Sequence, residues 1–224
     1  MQWKCSFATV VLFAAMPVMN VGVLQAAAIP INNFSFEADV LALGAFDPGN
    51  VPGWTGSPSA FFSSYHPAAA QFPGGVPDGV NVAAVTDGDI SQTLLANLTA
   101  NTMYTLLVSV GQRTDIPLGT YLVTFEAGGS VLASESAQTP APGTFATSTI
   151  NFFAAPGNAH LGQALTIRLA SMGGGQADYD FVRLDGTSII TGVPEPATVT
   201  LMAAGFAALT LLRRKRLKLL EVSQ

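Results

Sequence analysis

A β-sandwich of the jelly-roll kind, an all-β fold, is predicted for the middle of this 224-residue chain, and three observations predict it. From Ile29 to Thr191 apolar and polar residues alternate in short runs, the period-2 pattern of half-buried strands. Gly, Pro, Asn and Asp separate those runs, as turn formers do, and no long helical period competes with them. The runs number about eight or nine, which favours a jelly roll over a smaller immunoglobulin-like sandwich.

In chain order the candidate strands begin with "INNFSFE", "VNVAAV" and "ISQTLL". The clearest is "MYTLLVSVG", where Tyr104, Leu106, Val108 and Val110 share one face. "YLVTFEA" and "SVLAS" follow, joined by Gly128-Gly129, whose tolerance of positive φ suits a two-residue hairpin turn. "FATSTINFF", "ALTIRLAS" and "YDFVRLDG" complete the set, with Leu165, Ile167 and Leu169 aligned toward a core and Gly173-Gly174-Gly175 as a flexible connection.

Two apolar segments flank this domain. Residues 1–28 carry one cation, Lys4, then the apolar run "FATVVLFAAMPVMNVGVL" and the small residues Ala26, Ala27 and Ala28. That order is expected of a secretory signal removed by signal peptidase after Ala28. Cys5 is the one cysteine and lies inside it, so residues 29–191 are expected to fold without disulfides or thiolate metal ligands. Those residues hold twelve acidic side chains against Arg113, Arg168 and Arg183, with no lysine. Such a surface repels nucleic acid, whose binding depends on cations meeting phosphates.

Residues 192–224 read differently. Pro194-Glu195-Pro196 is followed by 16 uncharged residues, 197–212, and then by Arg213, Arg214, Lys215, Arg216 and Lys218. The apolar run is expected to be a transmembrane helix, and basic residues beyond it hold that end in the cytoplasm. Paired prolines keep Glu195 extended, as a protease needs its substrate. This tail resembles the PEP-CTERM sorting signal of Gram-negative bacteria that make extracellular polysaccharide. The resemblance implies an exosortase as partner, with Pro194, Glu195, Pro196 and Arg213 to Arg216 as recognition residues. It also implies export, a transient membrane tether, and delivery to the cell surface or matrix.

Over residues 31–186, "NNFSFE", "VPGWTGS", "GDISQTL", "YTLLVSVG" and "YDFVRLDG" resemble galactose-binding-like domains and carbohydrate-binding modules. That resemblance implies a structural calcium held by Glu37 and Asp180, with no other cofactor required. From the residues alone, Asp180 either shares an inward face with Val182 and Leu184 and needs a partner, or is solvated while Tyr179 and Phe181 turn inward. Aromatics in the loop "GWTGSPSAFFSSYHPAAAQF" offer sugar-stacking faces, with Trp54, Phe62, Tyr65 and His66 as ligand candidates beside Phe61 and Phe72. Trp54 would serve equally as a core plug beneath the loop.

Catalytic signals are thin. His66 and His160 are the two histidines, and no Gly-x-Ser-x-Gly, HExxH or phosphate-loop pattern occurs. Asp87 with Asp89, and Asp178 with Asp180, read as turns at strand ends. The expectation is therefore a non-catalytic surface protein that binds or organises extracellular polysaccharide. The alternatives are a structural matrix protein without a ligand, and an extracellular hydrolase.

Overall fold

Two strands of this protein are too long to be straight. Strand β5 (Val82–Asn97) has 16 residues and β10 (Ala164–Ser188) has 25. At about 3.3 Å per residue β10 would reach roughly 80 Å, about twice the width of a domain of this size. The computed structural model, which describes residues 26–189, 202, 204–210, 212 and 213, shows both strands bending sharply instead. The bends fall at Asp87-Gly88 in β5 and between Ser171 and Gln176 in β10, where their antiparallel register shifts. Gly173 and Gly174 sit at φ +82° and +79°, and a Cβ on Gly175 would lie 2.3 Å from the Gly119 nitrogen. Only glycine serves at such a crossing.

Each bend carries the chain from one layer of a sandwich to the other. In the first layer β3 (Thr55–Gly56) pairs with β5, β5 with the early half of β10, β10 with β7 (Thr120–Ala127), and β7 with β8 (Ser130–Glu135). In the second layer the order is β2 (Phe46–Pro48), β4 (Phe61–Tyr65), β5, the late half of β10, β6 (Thr102–Gln112) and β9 (Thr144–Ala154). Strand β1 (Ala26–Ile29) lies antiparallel to Leu184–Thr187 of β10. Between the layers, Val108, Val110, Ala177, Tyr179 and Leu184 pack with Val123, Phe125, Leu165, Ile167 and Leu169, all buried. The turn at Gly128-Gly129 has φ of +57° and +80°, as a tight hairpin between β7 and β8 requires.

The all-β sandwich agrees with the sequence; several element assignments do not. "INNFSFE" is a series of turns rather than a strand, with Asn33 and Phe36 at φ +50° and +60°. It plugs a bulge in β10, where the Val182 N–H donates to the Phe34 carbonyl at 2.8 Å. "VNVAAV" and "ISQTLL" are parts of one strand, as are "ALTIRLAS" and "YDFVRLDG". The three glycines are thus a bend within β10, and Asp178 and Asp180 lie inside a strand rather than in a turn.

Strand β1 contains Ala26, Ala27 and Ala28, so removal of residues 1–28 would leave Ile29 alone of its residues. Residues 1–25, Pro194-Glu195-Pro196 and Arg214 to Lys218 lie outside the described residues. Residues 204–210 are helical, as are Met202, Leu212 and Arg213, and among the described residues no helix is long and apolar enough to cross a membrane.

Candidate active site

Alternation along β10 sends Ala177 and Tyr179 into the core and sends Gln176, Asp178 and Asp180 to the opposite, outer face of the second layer. Cross-strand register places Ala84 on one side of Asp178 and Gly111 on the other, with Phe145 of β9 beyond Gly111. A Cβ at Gly111 would stand 2.4 Å from the Phe145 ring, so that ring lies across the glycine toward Asp178. Tyr65, Val82 and Ala84 form a small apolar cluster on this face, joined by Val76 and Phe145.

The segment between His66 and Pro77 covers this face as a strap. Phe72 is 2% exposed, and its ring stacks on Phe145 at 4.5 Å between centroids with a 30° tilt. A cleft of about 320 Å³ opens on one side of the strap, lined in part by Leu43, His66 and Phe72. Another of about 430 Å³ opens on the other side, lined in part by Val76, Pro142 and Phe145.

Asp178 is 0% exposed. One carboxyl oxygen, Oδ1, accepts a hydrogen bond from Gln176 Nε2 at 2.8 Å, and Oδ2 is buried with no partner. Burial raises its pKa to about 7, against the opposing pull of the Gln176 hydrogen bond and the Arg113 charge. Arg113 itself is committed elsewhere: Nε and Nη2 donate to the two oxygens of Asp115 at 2.9 and 2.7 Å, and the guanidinium lies 4.9 Å from the Tyr65 ring centroid. Those hydrogen bonds hold the exposed Asp115 carboxyl at about 2. Asp178 is therefore a buried acid, about half of it neutral at pH 7, with one oxygen free to engage a ligand.

A second polar cluster adjoins it at the far end of the strap. Glu37 Oε1 accepts from the Val80 and Asn81 N–H groups at 2.8 and 2.6 Å, and Asp180 Oδ2 accepts from the Asp78 N–H at 2.9 Å. Asn81 Nδ2 donates to the Asp39 carbonyl at 2.9 Å, while Asn81 Oδ1 and Asp39 Oδ2 are buried without partners. Burial, with the negative charges of Asp78 and Glu37, raises Asp180 to about 7. Among the described residues no three His, Cys, Asp or Glu side chains converge as a metal site. The oxygens here are mixed, however: carboxylates, an amide and main-chain carbonyls, the donor set that hard cations accept.

Of the sequence candidates, Glu37 and Asp180 are brought to one cluster, and Tyr65 and His66 to the strap. Trp54 and Phe62 are not: Trp54 is 7% exposed, stacks on Phe36 at 5.5 Å and donates through Nε1 to the Asn33 carbonyl at 3.3 Å. Phe62 packs against the main core, being on the opposite face of β4 from Tyr65. Alternation along β4 cannot present Phe62 and Tyr65 to the same ligand, and Trp54, just before β3, packs into the main core. Asp178, Gln71, Arg113 and Phe145 were missed. The available signal was "QADYD", in which polar Gln176, Asp178 and Asp180 alternate with residues bound for the core.

Comparison with known proteins places this geometry in context. The family model described as HpiC1 cyclase matches residues 27–185, and that of the PEP-CTERM protein-sorting motif matches residues 192–216. A cyclase from Fischerella sp. TAU is 30% identical over 72% of this chain and 98% of its own, with a TM-score of 0.67. The apo form of a cyclase from Fischerella sp. is 28% identical over 72% of this chain and 96% of its own, with a TM-score of 0.68. The Stig cyclase Fisc from Fischerella sp. TAU, solved with (3Z)-3-(1-methyl-2-pyrrolidinylidene)-3H-indole, is 28% identical over 74% and 100%, also at 0.68. No curated protein matches the chain. The expectation of a non-catalytic domain is overturned by these matches. A buried carboxyl inside a strand, such as Asp178, forms no pattern that a search for histidines and nucleophile motifs would find.

Proposed function

The chain belongs to the HpiC1-like family, and from that premise we infer that its β domain is an acid-assisted cyclase acting on an apolar, aromatic small molecule. The observation that carries this reading is Asp178, a fully buried carboxyl with a partnerless oxygen beside aromatic side chains. Relatives support the substrate class. Fisc holds an indole derivative, and a cyclase from Fischerella sp. TAU was solved with 4-(1H-indol-3-yl)butan-2-one. Tyr65, Phe72 and Phe145 suit a flat ring system in the same way, each offering an apolar face.

The chemistry balances without a co-reactant. Asp178 in its neutral form gives its proton to an unsaturated carbon of the substrate, leaving a carbocation and a carboxylate. An internal alkene or ring carbon attacks the cation and closes a ring, and loss of a proton returns Asp178 to its acid form. The product is an isomer of the substrate. Aromatic faces stabilise the intermediate cation, and burial keeps water from capturing it.

The PEP-CTERM motif makes the chain an exported exosortase substrate, and its cleavage and release at the surface complete the proposal. Polysaccharide is the weaker ligand reading, because Trp54 and Phe62 face inward. For the second cluster, a Ca²⁺ ion at Glu37 and Asp180 would draw on the nearby orphan oxygens of Asp39 and Asn81 rather than on a converged set of carboxylates, which the described residues do not form. Its role there would be structural, pinning residues 78–81.

The test offers the exported protein an indole bearing a side-chain alkene and follows a product of unchanged mass and altered retention. Turnover abolished by Asp178→Asn, with probe binding retained, supports the acid role. Equal turnover by that variant rejects it.

A further inference from the structure

An acid that is 0% exposed must be uncovered before a substrate can reach it. The strap lies over the face that Asp178 shares with Ala84 and Gly111, its Phe72 ring on Phe145 and Val76 on the apolar cluster there, and its ties to the rest of the domain are unevenly distributed. At one end the His66 N–H donates to the Ala45 carbonyl and the His66 carbonyl accepts from Gly44. At the other, Asp180 and Glu37 hold the N–H groups of Asp78, Val80 and Asn81. Between 67 and 77, among the described residues, every hydrogen bond to the rest of the domain passes through Ala70 or Gln71. Gln71 Nε2 donates to Asp115 Oδ2 at 3.0 Å, and Gln71 Oε1 accepts from the Tyr65 hydroxyl. Thr114 donates to the carbonyls of Ala70 and Gln71, through Oγ1 at 2.9 Å and through its N–H at 3.3 Å. Beyond Phe72 the strap runs through Pro73, Gly74, Gly75 and Pro77, with Gly75 at φ +81°.

We propose that Gln71 is the side-chain latch of a gate over Asp178: losing its link to Asp115 leaves only the Thr114 and Tyr65 hydrogen bonds across the middle of the 67–77 strap, so that the strap, with the Phe72 ring, lifts more readily from Phe145 between two fixed ends. The gate regulates the site described above and rests on that reading. Several features fit a moving part. The clefts on either side of Phe72 and Val76 leave room for displacement. The partner side of the latch is rigid, since Arg113 clamps both oxygens of Asp115. Tyr65 touches both the latch and the apolar cluster on the face of Asp178, so a ligand that displaces its ring would pull on Gln71. Gln71 is thus a positioning residue, acting on access rather than on the reacting atoms.

The test is carboxyl footprinting of the full chain with a water-soluble carbodiimide and glycine ethyl ester, read by peptide mass spectrometry at one pH. Exposed Asp87 serves as the internal reference. In the native protein Asp178 should label far more slowly than Asp87, and Gln71→Ala should speed its labelling at least tenfold. Asp115→Ala should do the same from the other side of the latch, and it reads the gate if Gln71→Ala fails to fold. Asp115→Asn retains an acceptor for Gln71 and should remain slow. Labelling of Asp178 as fast as Asp87 in the native protein would overturn the gate. So would labelling unchanged in both alanine variants while amide exchange in β6 and β10 shows them folded. Failure of the acid role looks different: Asp178→Asn would keep full turnover while the latch variants still changed labelling.

Discussion

The two faces of β10 in the second layer are built from neighbouring residues and have opposite characters. Ala177 and Tyr179 point into a core where apolar groups fill the space, and the Tyr179 hydroxyl donates to the Ala170 carbonyl. Asp178 and Asp180, one residue away in each case, point to a face that is equally buried, where Asp180 is held by the N–H groups of Asp78 and Phe181 but Asp178 keeps one oxygen without a partner. The first face loses polar groups to hydrogen bonds and gains dispersion; the second holds groups whose charged forms are penalised. The contrast teaches that burial alone does not distinguish scaffold from site. Whether the buried groups are satisfied does.

The comparison can be broken at its most stable point first. Phe125→Ala, in the core between Tyr104 and Phe152, should cost about 3–5 kcal/mol, read as a lowered denaturant midpoint at unchanged slope. Asp178→Asn should do the reverse. Activity should fall by about 10²–10⁴, the usual worth of a general acid, while the denaturant midpoint stays level or rises because the ionisable group at 178 is no longer buried. A loss of stability matching that of Phe125→Ala would make Asp178 a scaffold residue.

The pH dependence of stability sharpens the same contrast. Asp178 and Asp180 stand near 7 when folded, against about 3.9 for an unfolded aspartate. Between those values the folded state binds more protons, so stability should fall as pH rises from about 4 to 7 and level off above. Asp178→Asn should remove about half of that slope in protein stripped with a chelator. Adding Ca²⁺ at pH 7 should raise the melting temperature in native protein and less in Glu37→Gln, measured by calorimetry. No shift in either would leave the second cluster as a plain hydrogen-bonded loop anchor. The smallest effect belongs to Gly129→Ala: at φ +80°, with nothing within 4 Å of the new Cβ, it should cost about 1 kcal/mol through backbone strain alone.

Much of the scaffold was legible locally. "MYTLLVSVG" is β6 with Tyr104, Leu106, Val108 and Val110 inward, and Gly128-Gly129 is the hairpin turn. The failures have a common cause. "INNFSFE" alternates like a strand, but its backbone is drawn into turns that fill the bulge beside Val182. The glycines at 173–175 look like a break, but a continuing strand is what crosses between layers there. At the site, Glu37 and Asp180 were identified through a family resemblance, and Tyr65 with His66 through composition. Trp54 and Phe62 looked equally suitable, and the side they face depends on which strand lies opposite.

By itself the sequence determined the all-β class, the inward stripes of the central strands and the sorting tail matched at 192–216, because alternation, turn chemistry and terminal motifs are properties of adjacent residues. Tertiary structure alone decided that Asp178 is a buried acid rather than a solvated turn residue. The residues gathered over its face, Phe145 across Gly111 and Phe72 stacked on Phe145, both lie far N-terminal to it in the chain, and desolvation depends on what surrounds a group in space.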